Sequence, residues 1–303
     1  MKIWEFAKVE GSTIRIDDKM AETMGIVEGG CVYSTIFKHP EDGPKDYEII
    51  LSMFPQENYR TLTQITMYLD DVPGSSAQAA AFLADRQINV LNSISLNGIS
   101  DTVIVWRLMA DMNFAGEGEI LLSRFHELRS AGDASVSKIR MIELKPADVG
   151  RLFKTGSDKK EIRRGYPVTI ESSRIDIGAM YGDILGNVDG ETVLFTMDPM
   201  TWVLSVTFFK KDTRIIKAGM EIPDCPGGMM QALDAIAGMN VNLISVFSKV
   251  KISYQTMYLE LTMDIGKSGR SPEEIRSELE KDLEKLNGIF TLVEFNEMNR
   301  GPL

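Results

Sequence analysis

Apolar and polar positions alternate along Thr61–Leu69, which predicts a half-buried strand. A polar turn follows, Asp70-Asp71-Val72-Pro73-Gly74-Ser75, and then an Ala-rich helix over Ala77–Arg86, with Ser75 or Ser76 as its N-cap. Val90–Leu96 and Thr102–Met109 read as strands joined at Asn97-Gly98, a hairpin signal. Glu119–Arg129 has helical spacing, with Ile120, Leu121, Phe125 and Leu128 on one face, and Ser135–Leu144 closes the run as a strand. The same order returns later. Arg214–Ile222 is a strand, Asp224-Cys225-Pro226-Gly227-Gly228 a turn and Met229–Ala237 a helix. Strands at Leu243–Val250 and Gln255–Met263 follow, then a helix over Ser271–Leu286 opened by Ser271-Pro272, and a last strand at Ile289–Phe295.

Both runs read βαββαβ, the ferredoxin-like split pattern, so the fold class is α+β with two such domains. Their sequences match at an offset of 153. Met67, Asp71, Pro73, Gly74, Gln78, Ala79, Ala84 and Asn89 recur as Met220, Asp224, Pro226, Gly227, Gln231, Ala232, Ala237 and Asn242. A smaller β-rich piece precedes each run and matches its copy at an offset of 161. There Ser12, Ile14, Ile16, Gly25, Val27, Gly29, Val32 and Thr35 recur as Ser173, Ile175, Ile177, Gly186, Val188, Gly190, Val193 and Thr196. The change of offset falls on Lys38–Asp46, whose Pro, Gly and charges predict a hairpin loop. The second copy closes that hairpin through Asp198-Pro199-Met200. The expected division is 1–59, 60–146, 147–212 and 213–303, alternating small piece and ferredoxin-like domain.

Composition narrows the function classes. The 303 residues include 44 Asp+Glu against 33 Lys+Arg, a net charge of −11. That balance argues against broad non-specific nucleic-acid binding. No 18-residue apolar stretch predicts a membrane span, and the first residues lack a signal-peptide core. Two distant cysteines, Cys31 and Cys225, suit a reduced cytoplasmic setting better than a disulfide scaffold. Two histidines, His39 and His126, have neither zinc-ligand spacing nor a catalytic motif around them. No nucleophile elbow, P-loop or dinucleotide-binding fingerprint occurs. The expectation is a protein with no catalytic residues, no metal and no cofactor.

A strand ending in D-x-P-G, then a helix, then Asn before the second strand resembles the ACT domain family. Asp71-Val72-Pro73-Gly74 with Ile88-Asn89, and Asp224-Cys225-Pro226-Gly227 with Val241-Asn242, carry the likeness. The resemblance implies binding of an amino acid or similar small metabolite and regulation of a protein partner, with a homodimer as one arrangement. It implies a ligand site in each copy: Asp71, Val72, Gly74, Ser75, Ile88 and Asn89 in the first, and Asp224, Cys225, Gly227, Gly228, Val241 and Asn242 in the second. A glycine at the turn brings backbone N–H groups and a helix start to a ligand carboxylate. The Asp and Asn would hold its ammonium or side chain. An alternative use of Pro-Gly and Asp is simply to make the turn and start the helix.

The small pieces carry a second resemblance. Ile14, Ile16, Met24, Gly25, Ile26, Gly29 and Val32, matched by Ile175, Ile177, Leu185, Gly186, Val188, Gly190 and Val193, resemble the AbrB/MazE-type swapped-hairpin family. This implies that the two pieces pair into one barrel-like unit, and it makes DNA a possible partner for a ligand-responsive transcription regulator. Charge disfavours that partner. Residues 1–36 hold four cations against six anions, and the single basic cluster, Lys159–Arg164, reads as a solvated linker.

Overall fold

The structure is a computed structural model that describes residues 4–53, 62–96, 103–112, 118–146, 159–165, 167–198, 203–285 and 290–298. Asn97-Gly98 and Pro199-Met200 lie outside them. The chain divides into two compact units. One comprises residues 1–39, 47–188 and 194–207, the other 40–46, 189–193 and 208–303.

The small pieces supply β1 (Trp4–Lys8), β2 (Thr13–Arg15), α1 (Asp18–Met24), β3 (Cys31–Lys38) and β4 (Lys45–Ser52), then β9 (Lys160–Arg164), β10 (Val168–Thr169), β11 (Arg174–Asp176), α4 (Ile177–Leu185), β12 (Thr192–Asp198) and β13 (Val203–Phe209). One sheet runs β1-β12-β13-β4-β3-β10, with β9 also on β3. The order is palindromic in the repeat. β12 and β13 stand to β3 and β4 as second copy to first, and β10 lies 161 residues after Ala7-Lys8 of β1. β2 and β11 pair antiparallel with Ile14 opposite Ile175, which are each other's counterparts. Ile14, Ile16, Ile175 and Ile177 are fully buried there. Each short helix stops at a glycine with positive φ, Gly25 at +67° and Gly186 at +70°, where a side chain would be strained.

The first ferredoxin-like domain has β5 (Leu62–Asp70), α2 (Ser75–Ala84), β6 (Asn89–Leu96), β7 (Val103–Asp111), α3 (Gly118–Ser130) and β8 (Ile139–Pro146), with strand order β6-β7-β5-β8 and neighbouring strands antiparallel. Ile65, Met67 and Leu69 of β5 meet Phe82 and Leu83 of α2 and Leu121 and Phe125 of α3 in its core. The second domain has β14 (Ile215–Pro223), α5 (Gly228–Ala237), β15 (Asn242–Ile252), β16 (Thr256–Asp264), α6 (Pro272–Glu284) and β17 (Thr291–Glu297), ordered β15-β16-β14-β17. Its register repeats the first. Leu62 faces Asp111 and Ile215 faces Asp264, both members shifted by 153. A bulge in the second strand recurs at the same offset, between Val90 and Asn92 and between Leu243 and Ser245.

Several expectations need correction. α2 begins at Ser75, and its cap is Gly74 with no side-chain hydrogen bond; the Ser75 hydroxyl donates back to Val72 O at 2.9 Å. Ile120 faces solvent at 61% exposure, because α3 turns Leu121 and Phe125 inward instead. Residues Ala134–Val136 form a 3-10 turn before the last strand. Lys159–Arg164 is no solvated linker: β9 lies antiparallel on β3, and most of its cations are paired. β1, β9 and β10 are strands that alternation alone did not reveal.

Candidate functional site

The two β–α turns are built alike. In the first, Gly74 takes φ +85°, and in the second Gly227 takes +89°. Each caps its helix from the left-handed region without any side-chain hydrogen bond. The first amides turn back into the loop, Ser75 N donating to Val72 O at 3.2 Å and Gly228 N to Cys225 O at 3.1 Å, so the N–H groups of the next two residues are the ones such a helix start offers to solvent or to an anion.

Their surroundings differ. In the first domain Lys138 Nζ donates to Pro73 O at 2.8 Å, and Arg140 Nε donates to Asp70 at 2.5 Å. Gln78 ties the helix to this edge, accepting from Lys138 N at 2.7 Å and donating to Ala134 O at 2.6 Å. Two cations therefore stand beside the turn. Asp71 and Val72 are exposed on it, while Ser75 is buried beneath it. In the second domain Asp224 accepts Tyr254 N at 2.7 Å through its carboxylate, and its own N donates to Gln255 O at 3.1 Å. Asp224 thus fastens the turn to the β15–β16 hairpin. Cys225 is exposed, and Gly228 is buried with room for nothing larger, since a Cβ there would lie 2.5 Å from Pro223 O. Ser75 stands at the matching place in the first domain, so the two turns are not interchangeable.

The asparagines lie elsewhere. Asn89 pairs with Asp111, which faces Leu62 at the start of β5, eight residues from Asp70. At about 3.3 Å per residue, that is roughly 26 Å along the sheet. Asn242, Asp264 and Ile215 repeat the arrangement at the far end of β14 from Asp224. The turn and the asparagine of one domain therefore flank opposite ends of its sheet and do not form one pocket within it. Asn89 and Asn242 are exposed, Ile88 belongs to the buried core of the first domain and Val241 packs against that of the second.

Sequence reasoning missed two polar clusters. Glu48, 8% exposed on β4, accepts from Ser205 Oγ at 2.6 Å and Lys159 Nζ at 2.8 Å, with His39 Nε2 at 3.2 Å. Burial alone would raise its carboxyl pKa. The bonds from His39, Lys159 and Ser205 and the Lys159 charge outweigh that and hold it far below the ordinary carboxylate range. In the second domain Tyr258 lies beside Glu260 and Glu294, at 3.3 and 3.4 Å, and burial followed by those two carboxylates pushes its hydroxyl up to about 12. Neither cluster forms a motif: Glu48 gathers partners from separate segments, and Tyr258 and Glu260, two apart on β16, gain Glu294 only through the fold. Among the described residues no group of three or more His, Cys, Asp or Glu could hold a metal ion, and no helix is long and apolar enough to cross a membrane.

No protein-family model matches the chain, and no curated protein matches it either. Solved structures that share features with it include a putative glycine cleavage system transcriptional repressor, at 10% identity over 78% of this chain and 97% of that one, with a TM-score of 0.25. The acetolactate synthase small subunit from Thermotoga maritima follows at 9%, over 80% and 99%, with a TM-score of 0.21. The regulatory subunit of aspartate kinase from Thermus thermophilus matches at 11%, over 74% and 93%, with a TM-score of 0.22. At these scores the likenesses carry no argument, and the ferredoxin-like assignment rests on strand order and register.

Proposed function

We propose that this chain is a non-enzymatic regulator that binds an amino acid or similar small metabolite at the β–α turns of two ACT-like domains and passes its binding state to a protein partner. One observation carries the reading. Two helices begin at a left-handed glycine with no side-chain cap after a D-x-P-G turn, at the same offset of 153 that relates the β5–β7 register to the β14–β16 register. A ligand carboxylate suits those amides, and in the first domain Lys138 adds a positive charge beside them. The first turn is therefore the stronger anion site of the two.

The palindromic sheet supports reading the small pieces as one intrachain unit of the swapped-hairpin type. The DNA-binding alternative draws less support. Lys159 is committed to Glu48, Arg163 to Asp183 and Arg164 to Glu161. On the β2–β11 pair, Arg15 bonds Asp18 and Arg174 bonds Glu10. Cations already held by carboxylates are poorly supplied for phosphates.

A thermal-shift screen against the twenty amino acids tests the proposal. At least one is expected to stabilise the protein, and that shift should shrink in Asp71→Ala/Asp224→Ala. A flat screen refutes ligand sensing, and an undiminished shift in the double variant refutes the turns as its site.

A further inference from the structure

The small pieces enclose a cavity of about 350 Å3 beside β1, where the chain passes from β2 into α1. That volume lies at the lower end of the range of small-molecule sites, about 300–1,000 Å3. Ile16 and Phe195, both buried, and the half-buried Phe6 give the cavity an apolar side. Its polar side carries charges of both signs, Lys8 and Arg15 against Glu10 and Asp18.

The duplication supplies an internal control, because the same corner is built twice. At the offset of 161, Ile16 recurs as Ile177, and both are buried. Glu10 recurs as Glu171. The other charges do not recur: Lys8, Arg15 and Asp18 are replaced by Thr169, Asp176 and Ala179, and Phe195 has Ser34 as its counterpart. The second corner is also closed. A Cβ on Gly178 would stand 2.4 Å from Ser12 Cβ, Ser12 Oγ donates to Asp176 at 2.8 Å, and the hydroxyls of Ser34 and Tyr181 bond at 2.7 Å in the interior. The strand–turn–helix corner therefore folds without these charges and without an opening. Nor do the charges secure the first corner. The side chains of the Arg15–Asp18 pair are 60 and 72% exposed, and exposed pairs add little stability. Lys8 makes no ion pair among the described residues. Asp17, which also lines the cavity, is the exception, since its carboxylate accepts from Lys19 N and Met20 N and caps α1.

We propose that this cavity binds an amino acid with an uncharged, apolar side chain, at a site separate from the β–α turns and independent of them. Lys8 faces the ligand carboxylate. Asp18 is held by Arg15 and Glu10 by Arg174. A carboxylate offers about four acceptor positions, so each keeps some for the ligand ammonium. Phe6 and Phe195 receive the apolar side chain. Four carboxylates line the cavity when Glu5 and Asp17 are counted, against two cations, and this excess turns away ligands whose own net charge is negative.

Calorimetry on the full chain tests the site, with L-leucine and L-phenylalanine as probes, each beside its deaminated acid and its decarboxylated amine. The turn variant Asp71→Ala/Asp224→Ala serves as a second background. Binding of at least one amino acid is expected to persist in that background, to weaken about tenfold or more in Lys8→Ala and in Asp18→Asn, and to return in Lys8→Arg. Both positions are exposed, so the circular-dichroism spectrum should not change. The acid and the amine are each expected to bind about tenfold more weakly than the amino acid, or worse. Absence of binding by either amino acid overturns the site, and so does a Lys8→Ala chain that binds like the wild type. An acid that matches its amino acid overturns the ammonium contacts. Binding lost in the turn variant and intact in Lys8→Ala overturns this inference and leaves the turns standing. Binding lost in Lys8→Ala and intact in the turn variant supports the cavity and removes the ligand from the turns.

Discussion

Replacing Glu48 tests how the first unit is fastened. Its carboxylate gathers three groups: His39 in the same β3–β4 hairpin and, distant in sequence, Lys159 just before β9 and Ser205 on β13. Lys159 is itself mostly buried, its side chain 11% exposed and its Nζ 4.4 Å from the centre of the Phe37 ring. Glu48→Gln keeps the shape and an acceptor for Ser205, but strands the ammonium without its counter-charge. Removing one member of a buried pair costs about 3–5 kcal/mol, whereas replacing both with neutral groups costs far less. Urea denaturation, read on the transition of this unit, should therefore show a large loss for Glu48→Gln, a comparable loss for Lys159→Met, and a much smaller one for the two together than their sum. The pH dependence follows from the depressed carboxyl. Its stabilisation is complete above the ordinary value of 4.5 and is lost as pH falls below that toward the folded value, so the gap between wild type and Glu48→Gln should narrow in acid. Additive losses with a pH-independent gap would refute the reasoning.

Two further substitutions probe the second domain. Gly228→Ala places a Cβ 2.5 Å from Pro223 O, a backbone atom with little freedom to move, and should destabilise the domain by about 1–3 kcal/mol in thermal denaturation. The matching Ser75→Ala in the first domain should be milder, since a Cβ is already accommodated there. Ser271→Ala removes a capping box in which the Ser271 side chain accepts from Glu274 N and Glu274 accepts from Ser271 N. The loss expected is about 1 kcal/mol, measured by the same melting experiment.

The ferredoxin-like halves were legible because their signals are local. Alternation in Thr61–Leu69 marks β5, Ser271-Pro272 marks the start of α6, and Pro-Gly marks both turns. The offset of 153, read from identities alone, reappears as strand register. What escaped was non-local. β9 has no clear alternation, and its edge position depends on β3 and on the Lys159–Glu48 bond. The site was half legible. Asp71, Gly74, Asp224 and Gly227 are on the turns as expected, but the resemblance that groups Asn89 with Asp71 says nothing of the opposite sheet ends at which the two lie in one domain. Ile88 looked like a lining residue only because it neighbours Asn89; the fold buries it.

The central claim is that the two helix starts without side-chain caps receive a ligand. Amide chemical shifts followed during titration with whichever amino acid stabilises the protein test it most directly. The account predicts that the largest movements fall on Gly74–Ala77 and Gly227–Met230, and saturate with the thermal shift. Movements confined to other segments, with these amides unchanged at saturation, would contradict it.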